Sequence, residues 1–144
     1  MYKDAQNLYS AAQVITAAAA STNIIDHGAA RDMGTGQSIY LVAIVDVAFT
    51  DSNSDSTLVV TLETDADVAF GSPALAQQTL GTFAALSPIG TVLVAKLQPG
   101  ALNERYSRLY YTPANGNLSA GSVTAFLTND IHKWVAYAKG YLIS

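Results

Sequence analysis

Short runs of β-prone residues, separated by turn residues, dominate the chain. The first clear run is Ile39–Phe49. It is apolar at successive positions until Asp46, which predicts a strand covered on both faces. The next run, Ser56–Thr64, alternates cleanly. Leu58, Val60 and Leu62 share one face, while Thr57, Val59, Thr61 and Glu63 share the other. A period of two is the signature of a strand with one buried face. Between the two runs lies the turn cluster Asp51–Ser56. The simplest reading makes them an antiparallel hairpin.

Further runs follow at Thr91–Leu97, Glu104–Tyr111, Val123–Asn129 and Ile131–Lys139. Turn signals at Ser87-Pro88, Gln98-Pro99-Gly100 and Pro113–Asn117 punctuate them. Weaker strands are read at Thr22–Asp26 and near Ala74–Leu80. About eight short strands with no helices between them predict an all-β protein, a jelly roll or two-sheet antiparallel sandwich. Two segments resist the pattern. Residues 1–20 hold good helix formers and many alanines, so they read as an N-terminal arm or short helix ahead of one domain over 21–144. Asp65–Ala85 has no firm period and reads as a long excursion with at most one short strand. No repeat of solenoid or propeller length is visible.

Composition sharpens this picture. Charged residues make up 12% of the 144 positions, about half the usual ~25%. Thr, Ser and Asn carry the polar positions instead. Such a surface suits a protein that works packed against other proteins. One domain of this length buries enough surface to fold without staples, in keeping with the absence of Cys. That absence also removes disulfides, thiolate zinc sites and thiol nucleophiles. Net charge is -4. The basic residues are scattered, with Arg105 and Arg108 the one local pair, so direct nucleic-acid binding is not expected. No run is long and apolar enough to span a bilayer. Ala11–Ala20 resembles a signal-peptide core, but Asp4 follows Lys3, and Gln13 and Thr16 interrupt it. It reads as part of the mature chain.

Catalytic and metal templates fit poorly. Asp51-Ser-Asn53-Ser-Asp55 begins like a calcium loop. That motif needs Gly at its sixth position and Glu at its twelfth, where Ser56 and Leu62 stand. Asp65 and Asp67 lack companions to complete a cation shell. His27 and His132 are far apart and read as structural or surface histidines. Gly34-Thr-Gly36 has Ile39 where a dinucleotide loop needs its third glycine, and no nucleophile elbow or phosphate loop occurs. Two carboxylates could still meet in space as in a small glycosidase, although nothing selects a pair. No enzyme activity, cofactor or metal is expected.

The aromatics say more. Eight Tyr accompany one Trp and four Phe. Tyr106, Arg108 and Tyr110 alternate and so share one strand face. Tyr and Arg are enriched among interface anchors, though an outer sheet face with amphipathic side chains gives the same pattern. These three residues are read as partner-facing, with Tyr2, Leu8 and Tyr9 as contacts on the arm. Because Tyr also stacks on sugars, the runner-up is a β-sandwich carbohydrate- or receptor-binding module.

Four stretches in order carry a family likeness. They are Asp4–Ser10; Ser21–Asp26 with Arg31–Gly34; Leu62–Asp65; and Glu104–Leu109 followed by Gly121–Leu127. Together they resemble the capsid cement, or decoration, proteins of tailed bacteriophages, typified by a short-tailed Bordetella phage. The resemblance implies a jelly roll without catalysis, bound to the major capsid protein on the outer capsid surface of the virion. It also implies a homo-oligomer, a dimer at symmetry axes being favoured over a trimer.

Overall fold

The structure is a computed structural model that describes residues 4–30, 36, 38–71 and 74–131. Among the described residues nine strands run in chain order. They are β1 (Leu8–Val14), β2 (Ala19–Ala20), β3 (Ile25–Asp26), β4 (Tyr40–Thr50), β5 (Thr57–Asp65), β6 (Leu75–Phe83), β7 (Val92–Lys96), β8 (Tyr106–Ala114) and β9 (Ala120–Thr128). One sheet has the order β1-β9-β4-β7 and the other β2-β8-β5-β6, with β3 also on β8. All pairings are antiparallel. Strands β2 and β3 together fill one position, facing Tyr110–Tyr111 and Tyr106–Ser107 of β8 in turn. This is the interlocked double Greek key of a jelly roll, as the strand pattern predicted.

The core follows from the period-two pattern. Leu58, Val60 and Leu62 of β5 and Leu109 and Tyr111 of β8 face Leu41, Ala43 and Val45 of β4 and Val123, Ala125 and Leu127 of β9. At one end Phe49 meets Phe83 edge-on, with centroids 5.5 Å apart. Gly121 makes that packing feasible. It holds φ +148°, and a Cβ there would lie 2.2 Å from the Phe49 ring.

Three expectations change. First, β4 and β5 do not form a hairpin. They lie in opposite sheets, joined by a loop that crosses between layers. The Asp51 carboxylate accepts the backbone N–H groups of Asp55 and Ser56 and so shapes that crossing. Second, residues 4–20 are not an arm or an α-helix. After a 3-10 turn over Ala5–Asn7, capped by the Asp4 carboxylate, β1 pairs along β9 and β2 along β8. Third, the excursion after β5 contains the full nine-residue β6. The strand expected over Ile131–Lys139 lies outside the described residues apart from Ile131.

Candidate interface on the outer sheet faces

Strand β8 alternates as its sequence predicts. Ser107, Leu109 and Tyr111 are buried inward, while Tyr106, Arg108 and Tyr110 stand half-buried on the outer face. In register they lie opposite Asp65, Glu63 and Thr61 of β5. The Arg108–Glu63 rung is an ion pair, with Nε donating to Oε2 over 2.8 Å. Its partners are only 20% and 16% exposed, so it is better shielded than a usual surface pair. The Arg108 guanidinium also lies 4.1 Å above the Phe70 ring and 5.7 Å from the Tyr110 centroid. Phe70 reaches it from a backbone at φ +49°, sparsely populated for a bulky residue. The three residues therefore belong to one preorganised patch.

Arg105 forms a second, more exposed clamp. Its Nε and an Nη each donate to the Asp26 carboxylate at 2.9 Å, and its guanidinium stacks 5.0 Å from the Tyr106 centroid. The Arg105 hydrogen bond pulls the Asp26 carboxyl down to about 2. Below this face Asp65 accepts the Asp67 N–H through Oδ1, while Oδ2 is buried with no hydrogen-bond partner. Among the described residues no three His, Cys, Asp or Glu side chains gather as a metal site. Asp51 turns inward to its own loop, chiefly through a hydrogen bond with Ser56 that holds its carboxyl at about 2.

The residues expected on an arm divide. Tyr2 lies outside the described residues. Leu8 is partly exposed and borders an open groove of about 640 Å³ between the 3-10 turn and residues 22–26. Tyr9 is fully buried, which corrects its reading as a partner-facing residue. Its hydroxyl bonds to Ser107 Oγ at 2.7 Å, and Ser107 in turn meets His27 Nε2 at 2.8 Å. Next along β1, the Ser10 hydroxyl donates to Gln13 and so accepts from the Tyr111 hydroxyl, each at 2.7 Å. Two Tyr–Ser pairs thus join β1 to β8 through the core, with Tyr and Ser exchanged between the strands. Burial raises both phenols, Tyr9 strongly and Tyr111 to about 12.

Two glutamines went unrecognised in the sequence, one as an interruption of the alanine run and one inside the loose excursion. Gln13 on β1 donates to Ala20 O at 2.8 Å and accepts from Thr22 N–H at 2.9 Å. Gln78 on β6 donates to Lys96 O and accepts from Gln98 N–H, both at 2.9 Å. Each amide thus pairs with the backbone groups on either side of one residue, as a neighbouring strand would. One signal was available: an uncharged polar residue with both a donor and an acceptor on each segment ending at a sheet edge. Exposed Val47, Leu86, Ile89, Val92 and Val94 were also missed as a group, since they come together only through pairing.

A family model, Bbp16, matches residues 9–127. The chain belongs to the Bbp16 family. That name is one of a Bordetella phage protein, so the likeness drawn from the four sequence stretches holds at the level of a phage protein family. Comparison with curated proteins yields no match. The Bbp16 match begins at Tyr9 and ends at Leu127, so it takes in β1 through nearly all of β9 and both Tyr–Ser pairs.

Proposed function

We propose that this Bbp16-family chain is a capsid cement protein, bound to the outer surface of an icosahedral phage shell and bridging neighbouring major capsid protein subunits. The observation that carries this reading is a phage family match spanning a jelly roll whose outer faces are poor in charge and rich in hydroxyl and apolar groups. A protein that bridges two neighbours makes its second contact effectively intramolecular, with avidity gains of roughly 10²–10⁴. Binding the assembled shell but not the loosened one stabilises the assembled one by mass action. No reaction is required. Few charges also mean little desolvation cost on docking. The Tyr106–Arg108–Tyr110 patch supplies anchor-type side chains already held in place, which limits the entropy lost on binding. The carbohydrate reading has less room here, because Arg105 and Arg108 stack on the Tyr106 and Tyr110 rings that a sugar would need.

The test is thermal opening of expanded shells with and without the protein. Decorated shells are expected to open at higher temperature. Identical opening curves at saturating protein would remove the stabilising role.

A further inference from the structure

We propose that residues 132–144, which lie outside the described residues, dock across the outer face of the four-stranded sheet, over Phe126 of β9 and Val42 of β4. This placement goes beyond the cement reading and does not depend on it.

Burial on the wrong face points to it. Alternation sends Leu41, Ala43 and Val45 of β4 and Val123, Ala125 and Leu127 of β9 into the core. Val42, Ile44, Thr124 and Phe126 point the other way, and pairing sets Val42 beside Phe126 and Ile44 beside Thr124. Val42 and Phe126 are nonetheless 0% exposed, and neither belongs to the core cluster. A bare outer face is not so dry: Tyr106, Arg108 and Tyr110 on the other sheet are all half-buried. Strand neighbours alone do not bury an outer side chain either, since Val94, next to Val42 on β7, is 48% exposed. None of the nine described strands lies over this face, because each belongs to one of the two packed sheets. A further layer therefore covers the middle of the sheet and stops short of β7.

The chain's own continuation suits that layer in position, length and chemistry. It leaves β9 at Thr128, in register with Tyr40 of β4, and so starts at the end of the two strands to be covered. The Thr128 hydroxyl accepts the Asp130 N–H, which bends the chain as it leaves the strand. From Tyr40 to Ile44 the face is about 13 Å long at ~3.3 Å per residue. The length of residues 132–144 reaches about 20 Å as a helix and about 40 Å extended. This segment holds Trp134, Tyr137, Tyr141 and Leu142, and its charged side chains are Lys133 and Lys139, with no acid. On β4 and β9 the one charged side chain is Asp46, held on this same face by the Thr124 hydroxyl. Aromatic side chains over an apolar centre, and a cation toward Asp46, make the two surfaces complementary.

The chain has one Trp, Trp134, and no Cys, which permits a contact measurement on the full-length protein. A bimane dye on Ile44→Cys is quenched when an indole touches it. Its emission is expected to be at most half that of the same dye on Ile44→Cys/Trp134→Phe. On Thr112→Cys, exposed on the other sheet, Trp134→Phe should change nothing. Equal emission with and without Trp134 at Ile44→Cys, in chains with a native circular dichroism spectrum, overturns the proposal. So does quenching by Trp134 at Thr112→Cys. Labelled Ile44→Cys/Trp134→Phe chains mixed with excess unlabelled wild type should stay bright. Quenching in that mixture would mean that another copy covers the face, and would overturn the proposal as well. If Ile44→Cys fails to fold, the dye moves to the exposed Val94→Cys, where the same results decide.

Discussion

The sandwich has two seams where an edge of one sheet meets an edge of the other, and they are closed differently. At the first, β1 meets β2; at the second, β6 meets β7. Both carry the same stitch, a glutamine amide pairing with a backbone C=O and N–H two residues apart. Behind the stitch they diverge. The β1 seam is filled by the buried hydroxyl pairs Tyr9–Ser107 and Ser10–Tyr111. At the β6 seam Gly81 lets the Leu93 side chain approach, a Cβ there lying 3.4 Å from its methyl groups. The glutamines blunt edges that would otherwise offer free backbone groups to another chain. Directional hydroxyl pairs allow one register, whereas apolar packing tolerates adjustment. The strand earliest in the chain thus has the more exacting seat.

Substitutions that remove one seam's filling sharpen the contrast. Tyr9→Ala should cost most, about 3–5 kcal/mol in denaturant unfolding, because it empties a large buried site and strips Ser107 of a partner. Leu93→Ala, at a partly buried position, should cost about 2 kcal/mol. Equal losses would erase the distinction between the seams.

Alkali separates them without mutation. The Tyr111 phenol is raised from 10.0 to about 12 by burial, so the folded state holds its proton after the unfolded chain has released it. Its stabilising contribution is complete below pH ~10 and disappears as pH rises toward ~12, on the order of 2 kcal/mol. Tyr9 shifts in the same direction. Hydrogen exchange of β1 amides should therefore quicken between these pH values before that of β6 amides, after correction for intrinsic rates. Simultaneous loosening of both seams would contradict this.

The stitches themselves carry the smallest effects. Gln13→Ala and Gln78→Ala should each cost about 1 kcal/mol, since water replaces part of what is lost at a sheet edge. Gln13→Ala is expected to be the larger, because Ser10 also donates to that amide.

How readable each region was in the sequence depends on the regularity of its strands. Strands β5 and β8 keep strict alternation, so their inner and outer residues, including Tyr106, Arg108 and Tyr110, were legible in advance. Strand β1 was not. Its register shifts twice against β9, Tyr9 and Ser10 are buried in succession, and Ala12 adopts φ +47°. A bulged strand loses the period of two by which strands are recognised, and its alanines read as helix. Strand β6 was read only as a weak, shorter strand near Ala74–Leu80, because it too is irregular, with two register shifts against β5. The false hairpin had another cause. A polar turn between two strands marks a reversal but not whether the chain returns to the same sheet. The outer patch was readable as a face, whereas the Glu63, Phe70 and Asp26 partners come from elements distant in sequence.

Co-sedimentation of the purified protein with mature, undecorated phage shells from the same source tests the central claim most directly. The cement reading predicts saturable binding at a copy number commensurate with icosahedral symmetry, weakened by a folded Arg108→Ala variant. Intact shells that pellet without the folded wild-type protein would contradict it.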